Sequence, residues 1–417
     1  MTNRLLFRSA LAVLMIRMSN SSVRRSAPTE PLHPSRGWPA VIAVAIATFT
    51  VVTSEMMPVG LLTPIGDALS VSEGTAGLTL TITGLVAAVS APFVPLAIGR
   101  SDRRVVLVAL MMLLAAANLL AAWAPNFAVM VVARVLIGVG MAGVWALAAG
   151  LAPRLVPARS VGSATSMIFS GIAVASVLGV PTGAYIGALV GWRAAFVAIA
   201  GLALLVAVAL AVPLPRLTTE RATRLSGVKG VLANPRVTTG LIIAALLVSG
   251  HFAAYTYIRP VLEEVTGIGA GLIGTMLLIY GIAGIMGNFA AGPRAVHAPR
   301  ATLVVLSLGL GAAVLLLPEL GGAALGAGFL MIVWGLSYGG VSVSAQTWMM
   351  KSAPDDSEAV TALFVGVFNG SIALGAFVGG IAMDGFGGVS AMWLGGALAV
   401  VALAATLAGR APAPAAE

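Results

Sequence analysis

The charged residues of this chain are confined to short intervals between long apolar runs, and that spacing limits the fold more than any other feature. Apolar windows fall near 38–61, 75–98, 104–123, 127–150, 161–187 and 193–213, and again near 237–261, 270–291, 300–317, 321–349, 357–383 and 389–409. Each approaches the ~20 residues an α-helix needs to cross hydrocarbon. Only 9% of the 417 residues are charged and 59% are hydrophobic, whereas a soluble domain carries roughly 25% charged residues. No water-soluble fold of this length hides that much apolar surface, so lipid is the solvent for most of the chain.

The expected fold is therefore an all-α membrane protein of twelve transmembrane helices in two six-helix, pseudo-symmetric bundles. Residues 1–37 read as a cytoplasmic N-terminal extension, 38–213 as the first bundle, 214–236 as a cytoplasmic linker, 237–410 as the second bundle and 411–417 as a cytoplasmic tail. Met18 opens a second polar leader and is an alternative start to Met1. The halves echo one another: Ala152-Pro153 follows the fourth span and Ala353-Pro354 the tenth, each before a Ser- and Gly-rich helix. Paired repeats of this kind build a substrate site near the midplane between two rocking bundles. Fifty glycines and 22 prolines fit membrane helices, where small residues allow close contact and neighbours re-satisfy freed backbone groups.

Charge placement gives orientation. Of the 23 Lys and Arg residues, all except Arg134, Arg193 and Arg259 fall in the termini or in loops on one side, if the N-terminus is inside. Basic residues collect in cytoplasmic loops, so both termini and the linker are expected in the cytoplasm of a bacterial cell, with the chain in its inner membrane. The net charge of +9 reports this topology and forms no nucleic-acid patch. There is no cysteine, and the three histidines are scattered, so no metal centre or redox cofactor is expected. No G-x-x-x-x-G-K-[ST] pattern occurs, so the chain is not expected to hydrolyse ATP itself. The expected partners are a small-molecule substrate, protons and the bilayer; the expected unit is a monomer. Two motif matches carry no chemistry: Gly269-Ala-Gly271-Leu-Ile-Gly274 opens a membrane helix without a βαβ unit, and Gly335-Leu-Ser337-Tyr-Gly339 lies within an apolar span without a strand-turn-helix. Both read as packing glycines.

An ionisable side chain inside a span is costly and therefore informative. Glu55 lies in the first span within TSEMMPVGLLTPI, and burial disfavours its charged form, which suits a proton-coupling acid. The alternative is a permanently paired structural carboxylate. Arg134 in the fourth span begins RVLIGVGMAG and is Glu55's natural partner, either as a switchable or as a fixed pair. His251 is a second candidate proton-coupling group. Tyr255 and Tyr257 in the seventh span, Asn288 in the eighth, Tyr338 and Gln346 in the tenth and Asn369 in the eleventh are candidate cavity residues, able to stack on or hydrogen-bond a ring. In the fifth span Gly179, Gly183, Gly187 and Gly191 recur at four-residue spacing around Pro181, a smooth stripe for tight packing with a bend point.

Six plus six helices, a basic loop after the second span, the Arg134 motif and the Gly-Pro stripe together resemble the major facilitator superfamily, in particular its twelve-helix drug:proton antiporters. SEMMPVGLLTPI, SEGTAG, DRR, GWRAAF and YIRPV are most similar to bacterial sugar-efflux and purine-ribonucleoside-efflux permeases; chloramphenicol-efflux proteins share a similar first helix. The resemblance covers residues 38–410. It implies that Glu55 is the first-helix acid, that Arg134 and Gly138 belong to the fourth-helix motif, and that Gly179, Pro181 and Gly183 belong to the antiporter motif. The loop motif G-x-L-A-D-R-x-G-R-R is contracted here to Gly99-Arg-Ser-Asp102-Arg103-Arg104, with Asp102 as the implied cytoplasmic latch to an arginine or a helix N-terminus. Ile137 stands where the fourth-helix motif usually has glutamine. The implied function is proton-driven export of a small organic solute, a nucleoside, sugar or drug, by alternating access. The alternative is a passive facilitator, and no enzymatic activity is expected.

Overall fold

The computed structural model describes residues 34–91, 93, 101–148, 150–215 and 232–409. Most of the N-terminal extension, most of the linker, the tail, Met18, and Gly99 and Arg100 of the loop motif lie outside them. Twelve helices follow the apolar windows closely: α1 (Pro34–Met56), α2 (Glu73–Ser90), α3 (Arg103–Ala122), α4 (Phe127–Ala148), α5 (Val161–Val190) and α6 (Trp192–Ala211) form one half. The other half consists of α7 (Pro235–Tyr255), α8 (Ala270–His297), α9 (Pro299–Leu320), α10 (Ala324–Gly339, resuming at Val341–Ser352), α11 (Ser357–Phe386) and α12 (Gly388–Ala408). Among the described residues, eleven helices are long and apolar enough to cross a membrane, and α2 completes the set.

The interior is apolar, as in a soluble protein, but so is much of the outer surface. Leu325, Phe386, Leu189 and Phe289 are largely exposed, as a lipid-facing surface requires, while Arg134, Asn118 and Glu55 are buried. Hydroxyls inside the spans are quenched locally: Thr50, Thr83, Thr256 and Ser307 each donate to the carbonyl four residues back, which removes a polar group from hydrocarbon at no cost in partners.

Helix contact relies on small residues. A Cβ at Gly171 of α5 would run into Ala45 and Thr48 of α1, and at Gly183 and Gly187 into Met57 and Leu61 of the turn that follows α1; at Gly179 a Cβ would lie 3.3 Å from Thr53. The stripe expected on α5 is thus the α1 contact, but it runs from Gly171 to Gly187 and stops there. Gly191 meets nothing and has φ +91; it makes the α5–α6 turn, because only a residue without Cβ takes that conformation cheaply. Of the two dismissed motifs, Gly335 and Gly339 do pack, against Tyr280 and Gly284 of α8, and Gly274 packs on Tyr185. Gly269 and Gly271 face open space, which corrects the expectation that all were packing positions.

The halves meet along α2 with α11 and along α5 with α8. Polar bonds cross between them at the end of the bundle where α1 joins α2: Thr63 to Glu263 (2.7 Å), Ser72 and the Gly74 N–H to Asp384 (2.7 and 2.8 Å), Arg259 to the Gly60 carbonyl (2.6 Å) and Tyr185 to Thr275 (2.7 Å). Toward the other end, Ser163, Ser166, Ser170 and Ser176 of α5 and Asn288 of α8 are exposed. Ser170 and Ser176 each donate to a carbonyl of their own helix, Met167 and Ile172.

Candidate functional site

The site is organised around a break in α1. Pro58 has no N–H, so the carbonyl of Ser54, four residues earlier, loses its helical donor, and the chain tightens into a 3-10 turn, Met57–Leu61, before a short helix, Leu62–Leu69. Tightening to i→i+3 bonds also changes which carbonyls are served. The guanidinium of Arg134, fully buried in α4, fills the gap. Its two terminal nitrogens donate to the carbonyls of Ser54 (3.1 Å) and Glu55 (3.0 Å), and Nε donates to the carbonyl of Thr79 in α2 (2.9 Å). One planar fork therefore joins three helices.

The expected pair of Arg134 with Glu55 is present through the main chain and not through the carboxylate. No ion pair within 4.0 Å joins the two side chains, whereas Arg259 and Glu263 do form one at 2.9 Å. The Glu55 carboxylate is buried, and its Oε1 has no hydrogen-bond partner. The proline explains the difference: the orphaned carbonyls compete for the same guanidinium and sit where its donors already point. Beside it, Ser54 Oγ donates to Asn118 Oδ1 (3.0 Å), and Asn118 in turn donates to Leu114 O (2.8 Å). Asn118 was not expected at the site, although a lone amide in the third apolar run was a visible signal. Gly138, one turn beyond Arg134, lets α4 meet the Thr83 carbonyl and Val86 of α2.

A second centre lies in the other half. His251 of α7 is buried among Phe252, Tyr255, Tyr280, Trp334 and Tyr338. Its ring stacks on Tyr338 with centroids 3.5 Å apart and on Tyr255 at 4.8 Å. The Trp334 indole N–H donates to His251 Nδ1 (3.0 Å), and Tyr280 Oη lies 3.4 Å from Nε2. An indole can only donate, so Nδ1 is the lone-pair nitrogen and the imidazole is neutral with its proton on Nε2. Tyr338 is half-buried and forms the open side of this cluster. Two of the expected cavity residues, Tyr255 and Tyr338, thus meet around His251. Tyr280 and Trp334 were missed, because aromatic residues in apolar spans read as ordinary packing.

The remaining candidates disperse. Tyr257 leaves the cluster for the α1–α2 end: its hydroxyl donates to Ala376 O (2.7 Å) and lies over Gly77 of α2 and Gly380 of α11. Asn288 is exposed on α8; Gln346 is half-buried on the second segment of α10; and Asn369 donates to Val365 O (2.8 Å) within α11. Asp102 accepts from the N–H of Arg104 (3.0 Å) and so caps the start of α3, with Arg103 as the first residue of that helix. Pro181 lies inside α5 between Gly179 and Gly183, on the α1 contact.

The amino-acid sequence matches the family model described as Major Facilitator Superfamily over residues 44–371. The chain belongs to the Major Facilitator Superfamily. It is 36% identical over 347 residues to transcription regulatory protein OpdE of Pseudomonas aeruginosa, covering 82% of this chain and 86% of that one. It is 34% identical over 330 residues to purine ribonucleoside efflux pump NepI of Salmonella paratyphi B, covering 79% and 83%. Among solved structures, a bacterial homolog of the human lysosomal transporter Spinster, inward-facing and occupied, aligns with a TM-score of 0.71 at 18% identity over 90% of this chain and 97% of that one. A mutant of the nucleoside transporter NupG aligns at 0.72 and 12%, over 89% and 99%. The superfamily places this chain among membrane transporters and not among enzymes.

Proposed function

We propose that the chain is a proton-coupled exporter of a small organic solute, working by alternating access with Glu55 as the proton-carrying acid. The observation that carries this reading is the buried Glu55 carboxylate with an unpartnered oxygen, beside an arginine whose donors are held by backbone. An ionised carboxylate in that position has the nearby charge of Arg134 but no ion pair with it and no hydrogen bond at Oε1 to offset its desolvation, whereas the acid form does not incur that cost. Such a group gains or loses its proton when the helices around it move, which is what coupling requires.

With the basic loops inside, the α1–α2 end, where bonds join the halves, faces outward, and on this reading the halves are closed toward the outside of a bacterial cell. The cycle runs as exchange: in the outward-open state Glu55 takes a proton from outside as the solute leaves, and in the inward-open state it returns the proton to the cytoplasm. Arg134 holds the α1 turn in register with α2, so that Glu55 is presented at a fixed depth. No cofactor takes part. The stacked rings at His251, Tyr255 and Tyr338 favour a planar solute, since a base on an aromatic face gains roughly 1–3 kcal/mol; the name of the Salmonella relative points to the same class. With Trp334 holding His251 neutral, the histidine serves the ring surface and Glu55 alone carries the proton.

Counterflow in proteoliposomes tests this, with purine nucleosides, sugars and chloramphenicol offered under an imposed pH gradient. Uptake of one class with opposite proton movement is expected, and Glu55→Gln abolishes the proton-driven component while protein still accumulates in the membrane. Transport that persists with no proton movement would instead make the chain a passive facilitator.

A further inference from the structure

The 3-10 turn of α1 is gripped from both halves. Arg134 of the first half holds the carbonyls of Ser54 and Glu55. Arg259, in the short helix Ile258–Thr266 that continues α7 in the second half, holds the carbonyl of Gly60 at 2.6 Å. The two arginines thus bracket Pro58, one on the Glu55 side and one on the far side. Arg259 is itself buried and fixed: Nε pairs with Glu263 Oε1 at 2.9 Å, and the other oxygen of Glu263 accepts from Thr63 of the short helix Leu62–Leu69 at 2.7 Å. Gly60 has no room to shift toward α5, since a Cβ there would meet the Val180 carbonyl.

A second contact closes the same end by different means. Asp384 at the end of α11 accepts from the Ser72 hydroxyl and the Gly74 N–H at the start of α2. A carboxylate on the N-terminus of a helix is favoured by the unpaired N–H groups and the dipole, so this is a bolt between α11 and α2, remote from the α1 turn.

We propose that Arg259 is the positioning residue that couples the closed outer end to the state of Glu55, by holding the α1 turn on which Glu55 sits, while Asp384 is an uncoupled bolt. When the halves part at this end, Arg259 and Gly60 must separate, because they belong to different halves. Of the two arginine grips only that of Arg134 then remains, and the surroundings of Glu55 change with it. Conversely, a change of charge at Glu55 acts on the same backbone that Arg259 grips. This inference rests on the alternating-access reading above.

The charged groups around both ends of the linkage are few. Arg134 from α4 is the charged neighbour acting on Glu55. At the outer end Asp67 follows the α1 turn, Glu73 opens α2, Glu263 and Glu264 share the helix of Arg259, and Asp384 ends α11; all act on Glu73. Carboxylates of both halves thus act on Glu73 at this end, and the bonds just named, with the Arg259–Glu263 pair, join the halves there.

The natural chain has no cysteine, so a single introduced thiol reports access directly. Ala373 of α11 is buried against Gly84 of α2, behind the closed end, and Ala373→Cys reacts with a membrane-impermeant thiol reagent from outside only when the halves part. Gly322→Cys, on the open α9–α10 loop, corrects for the pH dependence of the thiol itself. In the parent, the corrected rate changes with pH, and Glu55→Gln removes that change. Arg259→Gln is expected to raise the rate about tenfold, the change that 1.4 kcal/mol makes in an equilibrium, and to flatten its pH dependence. Asp384→Asn is expected to raise it at every pH and keep the dependence. Arg259→Lys, which keeps a donor without the fork, falls between. If Arg259→Gln fails to accumulate, Thr63→Val loosens the same grip and gives a smaller effect in the same direction. Retention of the full pH dependence in Arg259→Gln overturns the coupling while leaving Glu55 as the proton acid. A parent rate that is pH-independent and equal to that of Glu55→Gln removes the role of Glu55, and the coupling with it.

Discussion

Replacing Arg134 by methionine separates two accounts of the pair at the centre of the first half. The guanidinium makes three hydrogen bonds, to the carbonyls of Ser54, Glu55 and Thr79, and is fully buried. Pro58 leaves Ser54 with no helical donor, so Arg134→Met strands at least that carbonyl, and the 3-10 turn strands Glu55's as well. An unsatisfied buried group costs about 1–3 kcal/mol, which puts the loss near 2–6 kcal/mol. That exceeds the ~0.6 kcal/mol average for a hydrogen bond inside a membrane bundle, because here the partners cannot be replaced by the helix itself. Glu55→Gln leaves the carbonyl in place, so it should cost under about 1 kcal/mol. The double mutant should then be nearly additive, with a coupling below about 1 kcal/mol. The assay is reversible denaturant unfolding in detergent of the parent, both single mutants and the double. A coupling of ~3 kcal/mol or more would mean that the arginine works through the carboxylate and that the backbone-capping account is wrong.

Three further outcomes follow from the same contacts. Gly183→Val drives a branched side chain into Met57 of the turn that follows α1, and should lower stability by several kcal/mol, on the order of 1–3 for overpacking plus lost contact, measured as a lower unfolding midpoint. Tyr338→Ala should weaken a purine-ring solute about 5- to 100-fold, as removal of one stacking face does, while a sugar, if it is carried, loses little; counterflow competition reads both. His251→Gln should leave the proton-to-solute ratio unchanged, because the Trp334 N–H already holds the imidazole neutral; loss of proton movement in that variant would return the histidine to the proton path.

Much of this fold could be read from the chain alone, because each span is a run near the length of the hydrocarbon and the intervening loops carry the charges. Helices α3, α4, α6 and α8 begin within a residue of the apolar windows. The α1 break was harder to see: Met57–Leu61 stays apolar through Pro58, so hydropathy does not change where hydrogen bonding does. That one proline redirects Arg134 from a side chain to a main chain, which no charge count reveals. Asp384, Glu263 and Thr63 lie in loop-edge positions that look solvated in sequence, and acquire their role only when the halves come together. Half of the His251 cluster was legible through its polar tips; Trp334 and Tyr280 were hidden among apolar neighbours.

The most direct test of the account is proton movement driven by solute. Proteoliposomes holding a pH-sensitive dye at equal inner and outer pH are given a purine nucleoside on one side, with the parent protein or Glu55→Gln. The account predicts solute moving one way and protons the other in the parent, and no proton movement in Glu55→Gln. Equal solute flux in both proteins with no change in dye signal would contradict it.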